Sequence, residues 1–487
     1  MLGASPFVNR SQELQALEAL LDSIVGHDGL RGGAYLPECV VNVYGAPGIG
    51  KSSLLHELRH RWATRQVQLI FVNLHERDLI EAATSEKVHF CRVTLQQLAL
   101  GEAQNTQLCE RLDRVAATDS DGIDAIAADL VATLQERAAQ SIVVLMVDAC
   151  EQASDAFFAW IERRVILPLI HDPREETTRS LFILASQLLL RWRQHNVRRR
   201  VKVEELGPLN PKATEDQVGD ADLGALLYDL TFGHPLSTSV AFAQVPVELT
   251  AHERMRWVAE HKYLLSTEIV QRLQQHAVRS MHTPRTAPER WQTWEVWTIL
   301  EAISVLREFD VNSMRVILSA YDAKYSAKSQ SMLLINIRDL LETRFAEWSS
   351  AKRAYQVAAA IRRIFASALA LRNEERYTTL RKRAIEYYQQ QIQTVAGNRH
   401  VYIVEYFFQL MSDPELDATA LDGLPQRLTS LLVNYYTNQD RSFYHRDALA
   451  QLAQAFASDD ELKNLLALHG YAEDLLATTV LQFCPLL

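Results

Sequence analysis

The sequence predicts an α/β domain built on a parallel sheet at the N-terminal end of the chain, followed by a mainly helical remainder. Short apolar runs at 40–44, 142–147 and 180–185 alternate with amphipathic helical stripes, which is typical of a parallel sheet with crossover helices. A glycine-rich turn lies between the first apolar run and the helix after it. Strand patterns end after Gly207-Pro208, and nearly every later segment has helical periodicity.

The glycine-rich turn carries the strongest chemical signal in the chain. It fits the pattern G-x-x-x-x-G-K-[ST] between a strand and a helix, where backbone N–H groups surround phosphate oxygens at the helix N-terminus. We expect Lys51 to reach the β- and γ-phosphates and the Ser52 hydroxyl to bind Mg²⁺. The turn, called the phosphate loop below, consists of Gly45, Ala46, Pro47, Gly48, Ile49, Gly50, Lys51, Ser52 and Ser53. The chain is therefore predicted to bind a nucleotide.

Composition and charge are those of an ordinary globular protein and argue against several classes. The chain has 487 residues, a net charge of −10 and a pI of about 5.9, so no overall basic field attracts it to nucleic acid. Its 5 cysteines lack C-x-x-C spacing, which argues against a disulfide framework or a zinc site. No signal peptide is evident, and no apolar run approaches the ~20 residues of a membrane span. We expect a cytoplasmic protein with no membrane partner.

The elements of the predicted α/β domain follow one another as alternating helices and strands. A helical stripe at 14–24 precedes the first strand, and the helix after the phosphate loop places Leu54, Leu58 and Trp62 on one face. The segment 74–120 is predicted to be a helical insertion, and its role is not evident from the sequence. The remaining elements are a strand at 68–72, a helix at 123–134, a strand at 142–147, a helix at 157–170, a strand at 180–185 and a strand at 201–206.

The region after residue 206 is predicted to hold three further domains. Asn210 and Pro211 have the order of a helix start, with a capping side chain before a first-turn proline. Pro284 and Pro288 indicate a linker. Three helices followed by a hairpin within 345–357 have the order of a winged helix. We expect a P-loop NTPase domain at 1–206, a helical lid at 207–285, a winged helix at 286–370 and a C-terminal helical domain at 371–487.

Polar side chains that follow two of the buried strands are candidates for the remaining chemistry. Asp148 is placed to hold Mg²⁺ through water, and Glu151 is our candidate for orienting or activating a water molecule. Glu151 has a structural alternative, because acids favour the first turn of a helix. Gln187 can donate a hydrogen bond to a γ-phosphate, although a solvated amide at a strand end is an equal alternative.

Two further features bear on the partners and the base. The basic run from Arg191 to Lys202 is followed at once by Glu204 and Glu205, so we interpret it as a solvated surface rather than a nucleic-acid site. The sequence has no Asn-Lys-x-Asp segment of the kind that guanine-binding proteins use. Adenine is therefore the expected base.

Five segments occur in a fixed order along the chain. They are Phe7-Val8-Asn9-Arg10, the phosphate loop, Asp148-x-x-Glu151, Gly207-Pro208-Leu209 and Gly233-His234-Pro235-Leu236. This order resembles the STAND class of signal-transduction ATPases, relatives of NB-ARC and NACHT proteins within the AAA+-like P-loop group. The region 294–365 is similar to the winged helix of that class, and the resemblance covers about residues 6–410.

The resemblance implies ATP or ADP with Mg²⁺ as the ligand, and slow ATP hydrolysis as part of a conformational switch. It places Val8 and Arg10 near the base and ribose, and Pro235 against the adenine. In this class a closed, ADP-bound monomer opens on sensing a trigger and assembles through its ATPase domains.

Three positions depart from the pattern of the class. Asn9 stands where the class usually has Gly, Gln187 replaces an arginine, and Ala149 replaces a second acid after Asp148. Weak γ-phosphate sensing and slow turnover are expected in consequence. Because the motif begins at residue 7, we expect the output to come from the C-terminal helices or from another chain.

Two kinds of function are compatible with these observations. The first is a STAND-type switch that regulates a protein partner or effector on a separate chain, as a nucleotide-dependent homo-oligomer, with antiviral defence or signalling as the expected setting. The alternative is an ATP-dependent DNA-binding regulator or loader that uses the winged helix. The third helix of that domain carries only Arg338 as a base against Asp339 and Glu342, so DNA is the less favoured partner.

Overall fold

The computed structural model divides the chain into two compact units. The N-terminal unit comprises Met1–Pro288 with Thr343–Phe345, and the C-terminal unit comprises Glu289–Glu342 with Ala346–Leu487. The finer division into four domains remains a prediction, and the predicted linker at 281–288 lies outside the described residues. The structure describes residues 10–26, 38–76, 86–98, 102–114, 120–170, 179–280, 295–350, 352–395, 399–412, 423–437 and 443–483.

The described part of the N-terminal unit is built on a five-stranded sheet. Its strands are β1 (Val40–Tyr44), β2 (Val67–Asn73), β3 (Ile142–Asp148), β4 (Ser180–Ser186) and β5 (Val201–Glu205). They are parallel and lie in the order β2-β3-β4-β1-β5. β3 and β4 are buried along their whole length, as expected for central strands of a parallel sheet. The predicted α/β fold with a parallel sheet is confirmed.

The register of the strands brings their carboxyl ends together at one edge of the sheet. Tyr44 at the end of β1 lies beside Ser186 at the end of β4. Asp148 at the end of β3 lies beside Asn73 at the end of β2. The segments that leave these strands therefore emerge together, which is where ligands bind in open parallel sheets.

Helices surround the sheet and continue beyond it in the N-terminal unit. The described residues of the predicted insertion are mainly helical. The two prolines at 211 and 235 each lie in the first turn of a lid helix. The helices are α1 (Ser11–Gly26), α2 (Lys51–Trp62), α3 (Glu86–Gln97), α4 (Glu102–Arg114), α5 (Ser120–Ala138), α6 (Asp155–Ile161) with a π-helical stretch (Glu162–Ile166), α7 (Leu167–Ile170), α8 (His195–Arg198), and then α9 (Pro211–Val218), α10 (Ala221–Thr231), α11 (Pro235–Gln244), α12 (Ala251–Glu260) and α13 (Lys262–Ser280) of the lid.

The C-terminal unit is mainly helical. The predicted hairpin is present as β7 and β8, and an additional short strand, β6, completes an antiparallel sheet in the order β6-β8-β7. The winged-helix assignment itself remains a prediction. The elements are α14 (Glu295–Ile303), β6 (Glu308–Phe309), α15 (Val311–Tyr321), α16 (Gln330–Glu342), β7 (Ala346–Ser349), β8 (Ala354–Val357), α17 (Ala359–Arg372), α18 (Glu374–Thr394), α19 (Arg399–Met411), α20 (Leu424–Leu432) with a π-helical stretch (Val433–Thr437), α21 (Phe443–Ala457), α22 (Asp460–Leu468) and α23 (Leu475–Phe483).

A buried charge cluster joins the helices of the C-terminal unit. The Arg307 guanidinium lies 4.0 Å from the centre of the Phe408 ring and donates to the carboxylates of Glu405, at 2.7 Å, and Asp459, at 2.6 Å. Removing one partner of such a buried pair leaves the other charge unpaired, which destabilises a fold strongly. The cluster therefore specifies how α19 and the turn before α22 pack on the segment after α14.

Among the described residues, no helix is both long and apolar enough to cross a membrane. In the described part of the chain, the cysteines at 39, 91, 109 and 150 are free thiols.

One buried side chain organises the edge of the sheet where β1 and β4 end. The Asn42 amide donates to Leu184 O at 3.3 Å and to Ser186 Oγ at 3.2 Å, and its Oδ1 accepts from Leu190 N at 2.8 Å. A polar residue inside a parallel strand is tolerated here because each of its hydrogen-bonding groups is satisfied. Asn42 thereby holds the segment that contains Gln187 against β1.

We predict that Asn42→Leu lowers the free energy of unfolding of the sheet by about 1–3 kcal/mol, because Leu190 N–H loses its acceptor and Ser186 Oγ loses one of its two partners. Hydrogen exchange of the β1 and β4 amides measures this loss. Asn196→Leu, at an exposed position of α8, is the matched control. Equal exchange rates in the two variants would contradict the assigned role.

Candidate functional site

The phosphate loop connects β1 to α2 with a backbone that only glycine adopts without strain at two positions. Gly48 has φ of 78° and Gly50 has φ of 100°. A Cβ atom at Gly48 would lie 2.8 Å from Cε1 of His234, so this position also needs glycine for space. Ser52 and Ser53 follow in the exposed first turn of α2, where the helix dipole favours an anion.

Lys51 is held inside the curve of the loop. Its ammonium group donates to Gly45 O at 2.8 Å and to Ala46 O at 3.0 Å, and the side chain is almost fully buried. Burial lowers the pKa of Lys51, and the nearby carboxylates of Glu151 and Asp148 oppose that shift. The predicted phosphate-binding lysine and both predicted acids thus lie close enough to interact.

The two acids lie at the end of β3 and on the tight turn that follows it. Ala149 between them has φ of 55°, a left-handed conformation that is costly for a residue with a side chain. Its N–H donates to Asp148 Oδ1 at 2.8 Å, which stabilises the turn. Glu151 accepts from Gln187 N at 3.2 Å, and burial raises the pKa of its carboxyl group. The structure therefore brings Asp148, Glu151 and Gln187 together.

The segment after β4 is anchored from a second side by a residue that sequence reasoning missed. The buried Glu162 carboxylate accepts from Arg193 N at 2.9 Å and from Gln194 N at 2.6 Å. Arg191, Arg193, Arg198 and Arg199 of the basic run are exposed. The predicted solvated surface matches their positions. It is wrong for Arg200, which is 7% exposed, and Lys202 is only partly exposed and lies 3.4 Å from Glu204. An acid in the middle of a helical pattern carries no sequence signal for this anchoring role.

His234 joins the lid to the phosphate loop and was also missed. Nδ1 of His234 accepts from Ser237 N and so caps α11. The ring hydrogen is therefore assigned to Nε2, and Nε2 donates to Pro47 O at 2.9 Å. Leu236 N donates to Gly48 O at 3.2 Å. Complete burial lowers the pKa of His234 to about 4, so the imidazole is neutral near pH 7. The histidine was visible in the Gly233-His234-Pro235 segment, but nothing local indicates Pro47 as its partner.

Arg10 also forms hydrogen bonds with the phosphate loop and with the start of the lid. Its guanidinium donates to Ile49 O at 3.0 Å, to Gly207 O at 2.7 Å and to Glu13 at 2.9 Å. The resemblance placed Arg10 near the base and ribose, and the side chain does line the cavity described next. Val8, which the resemblance placed beside it, lies outside the described residues.

These groups surround a cavity of about 560 Å³, a size typical of small-molecule sites. Pro235, predicted to touch the adenine, lines it from the lid, and Gln187, which is 6% exposed, lines it from the sheet. The lining residues are Arg10, Gly48, Ile49, Gly50, Lys51, Ser52, Ser53, His56, Asn73, His75, Asp148, Ala149, Glu151, Gln152, Gln187, Leu209, Gln217, Pro235, Leu236, Ser239 and His276.

The donor set of the cavity fits a nucleotide with Mg²⁺. Phosphate is suited by a glycine-rich loop at a helix N-terminus and by the Lys51 ammonium group. Two amide oxygens, Gln187 Oε1 and Gln217 Oε1, are buried without a hydrogen-bond partner among the described residues. Within the same residues, no group of three or more His, Cys, Asp or Glu side chains could hold a metal alone. Mg²⁺ binds proteins through one or two side chains together with phosphate oxygens. Ser52 and Asp148 remain the predicted metal ligands.

We predict that His234 makes the N-terminal unit sensitive to acid. Its pKa is about 4 in the fold and about 6.5 when unfolded, so stability is complete above pH 6.5 and falls as pH drops towards 4, by about 3 kcal/mol in all. The neighbouring titratable groups, which lower the pKa of His234 further, are His276 and Lys51. As the pH is lowered from 7.5 to 4, the melting temperature should fall more steeply for the wild type than for His234→Gln. Parallel curves would show that His234 is not the titrating group.

One region of the chain matches a known family of protein domains. Residues 6–163 match the family described as AAA ATPase domain. No curated protein matches the chain.

Several solved structures are similar to parts of this chain at low identity. A Walker-type ATPase of Pyrococcus abyssi is 11% identical with a TM-score of 0.42, over 74% of this chain and 96% of that chain. The Aeropyrum pernix ORC2 protein, solved as ADPNP-ADP complexes, is 12% identical with a TM-score of 0.42, over 77% and 97%. A STAND protein with a tetratricopeptide repeat sensor from Pyrococcus horikoshii is 14% identical with a TM-score of 0.30, over 99% and 65%. The family match and the geometry of the loop together support an AAA+-related P-loop ATPase domain in residues 6–163.

Proposed function

We propose that this chain is a STAND-type molecular switch that binds ATP or ADP with Mg²⁺ and hydrolyses ATP slowly. Its nucleotide state controls a protein partner or effector on a separate chain, by a change of shape or by assembly into a homo-oligomer, in antiviral defence or signalling. The observation that carries the proposal is the direct bonding of the phosphate loop to the lid. Pro47 O accepts from His234, and Gly48 O accepts from Leu236.

These bonds give the lid a physical means of responding to phosphate. Turning a two-state equilibrium from 1:99 to 99:1 takes about 5.5 kcal/mol of differential binding. Two such hydrogen bonds supply about 1–3 kcal/mol. Contacts between the nucleotide and the lid must therefore supply the rest, and Pro235 and Leu236, which line the cavity from the first turn of α11, are available for them.

The side chains of the cavity have separate roles in hydrolysis under this proposal. Lys51 binds the β- and γ-phosphates, and Ser52 and Asp148 hold Mg²⁺, which neutralises charge on the phosphates when it is bound. Glu151 orients or activates the attacking water, and Gln187 donates to the γ-phosphate. Since Gln187 carries no charge, it stabilises the developing charge less than an arginine does, which accounts for slow turnover.

Observations on α16 weigh against the DNA-binding alternative. The Arg338 guanidinium is paired with Asp339 at 3.4 Å and with Glu342 at 3.8 Å. Met332 and Leu334 of the same helix are about half exposed and apolar. A helix with no unpaired base and exposed apolar side chains suits protein contact better than a phosphate backbone.

We predict that the protein has a different mass or shape in ADP than in a non-hydrolysable ATP analogue. Sedimentation and small-angle X-ray scattering measure both properties. Lys51→Ala should abolish the difference because the phosphates lose their cation, whereas Lys212→Ala, at an exposed position of α9, should leave it unchanged. Identical mass and shape of the wild type in both nucleotides would end the proposal.

We also predict that Glu151→Gln slows ATP hydrolysis by about 10²–10⁴-fold, with ATP affinity changed only a few-fold. Because the pKa of Glu151 is raised, wild-type hydrolysis should increase with pH through that raised pKa, and the variant should lose this rise. Phosphate release and calorimetric titration give the two quantities. Glu248→Gln, at an exposed site, is the control. A Glu151→Gln variant with wild-type turnover would show that another group positions the water.

A further inference from the structure

The two edge strands of the five-stranded sheet differ in how their outer backbone groups are satisfied. At the β2 edge, the side-chain amide of Gln97 accepts from Phe71 N at 2.9 Å and donates to Phe71 O at 2.7 Å. Gln97 therefore takes up the outward-pointing backbone groups of that strand, as a neighbouring strand would. At the opposite edge, β5 pairs with β1 alone among the described strands.

The backbone groups of β5 point alternately towards β1 and away from it. Leu206 N, directly after the strand, donates to Tyr44 O of β1 at 2.8 Å. The even-numbered residues of β5 therefore face β1, and the N–H and C=O groups of Val201, Val203 and Glu205 face outward. None of the described residues supplies a hydrogen bond to these outward groups. β5 is thus an unpaired edge, and such an edge is a template for another strand.

The side chains of β5 complement a second copy of the same strand. Val203, at the centre of the strand, is 47% exposed. Lys202 and Glu204 flank it on the other face, partly exposed, with their charged groups 3.4 Å apart. When two copies of β5 lie antiparallel about an axis through Val203, Lys202 of each copy lies opposite Glu204 of the other. The strand therefore has an apolar centre and charges that match its own copy.

We propose that β5 pairs with β5 of a second copy of this chain, antiparallel and about a two-fold axis at Val203, so that the two sheets become continuous. In this register Val203 lies opposite Val203, and Val201 lies opposite Glu205. These are the residues with outward backbone groups, so each pair exchanges its hydrogen bonds. Lys202 and Glu204 lie opposite each other at the intervening positions, where cross-strand side chains come closest and unlike charges stabilise the pair. The contact is isologous and closes at two copies.

The charges on β5 also account for the choice of partner. Charged side chains on an edge strand usually hinder pairing with other edges. On β5 the two signs alternate, so the same side chains favour pairing with the strand's own copy. Because β5 has only 5 residues, we expect a concentration-dependent association rather than a permanent dimer. β5 does not line the cavity, so this contact goes beyond the proposed function and should form without nucleotide.

Reversing the charges on β5 tests the register. In Lys202→Glu, and equally in Glu204→Lys, like charges lie opposite each other, so self-association should be at least about tenfold weaker than in the wild type. A mixture of the two variant proteins should associate again, because each lysine then faces a glutamate of the other chain. A local effect of either substitution on folding would not be reversed by mixing. Sedimentation of the full chain over a range of concentrations, without nucleotide, measures the association.

The matched control is Lys212→Glu, which reverses an ion-paired lysine on α9 and should associate as the wild type does.

The variant Val203→Cys tests the position of the axis. A hydrogen-bonded antiparallel pair places its Cα atoms about 5.5 Å apart, which is within the range of a disulfide bond. Oxidation should therefore link two copies of Val203→Cys covalently. Val247→Cys, at a position that is 78% exposed, should remain unlinked. Electrophoresis without reductant separates the two results. This comparison decides the matter if the charge-reversed proteins do not fold.

The outcomes distinguish this inference from the proposed function. A wild type that stays monomeric at every concentration, single reversals that associate like the wild type, reversals that stay apart on mixing, or Val203→Cys that does not link would each overturn the β5 contact. Lys51→Ala should keep the contact, because its substitution lies in the phosphate loop. If the contact forms but the wild type is identical in both nucleotides, the proposed function fails and the β5 contact stands.

Discussion

The N-terminal unit depends on the close approach of the backbone before α11 to the phosphate loop and to the start of the lid at Leu209, and two glycines permit that approach. A Cβ atom at Gly233 would lie 1.9 Å from Leu209 O, and one at Gly48 would lie 2.8 Å from His234 Cε1. Both residues also have positive φ. With side chains at these positions, the bonds from His234 to Pro47 and from Leu236 to Gly48 could not form as they do. The lid-side wall of the cavity can therefore form as it does only because these two positions carry no Cβ atom.

The opposite wall depends on buried polar groups that are fully paired. Asn42 holds the end of β4 to β1, and Glu162 holds the following segment to the helix after β3. Each carries a desolvation cost that only complete hydrogen bonding offsets, so each tolerates one local arrangement. That arrangement places Gln187 N within hydrogen-bond distance of Glu151. The acid and the amide that close the cavity are thus positioned by residues that do not line it.

Under the proposed function, the bonds between loop and lid let one small ligand affect a large part of the N-terminal unit. The loop presents N–H groups to phosphate and carbonyl groups to the lid, so the two sets of bonds share the same few peptide units. Because closely packed interfaces switch between discrete arrangements, a small change in such a loop can be amplified. The neutral state of His234, which burial maintains, keeps the connection intact near pH 7.

The sequence by itself determined the elements and the chemical centre of the site. Buried strands, amphipathic helices, the phosphate loop and the acid after β3 are encoded by periodicity and by residues adjacent in the chain, so they could be predicted locally. Only the tertiary structure decided that β4 lies between β1 and β3, and that Pro47 meets His234, Asn42 meets Leu190 and Gln217 joins the cavity. The physical reason is that side-chain periodicity specifies which face of an element is buried. It does not specify which group more than a hundred residues away will satisfy a buried donor or acceptor.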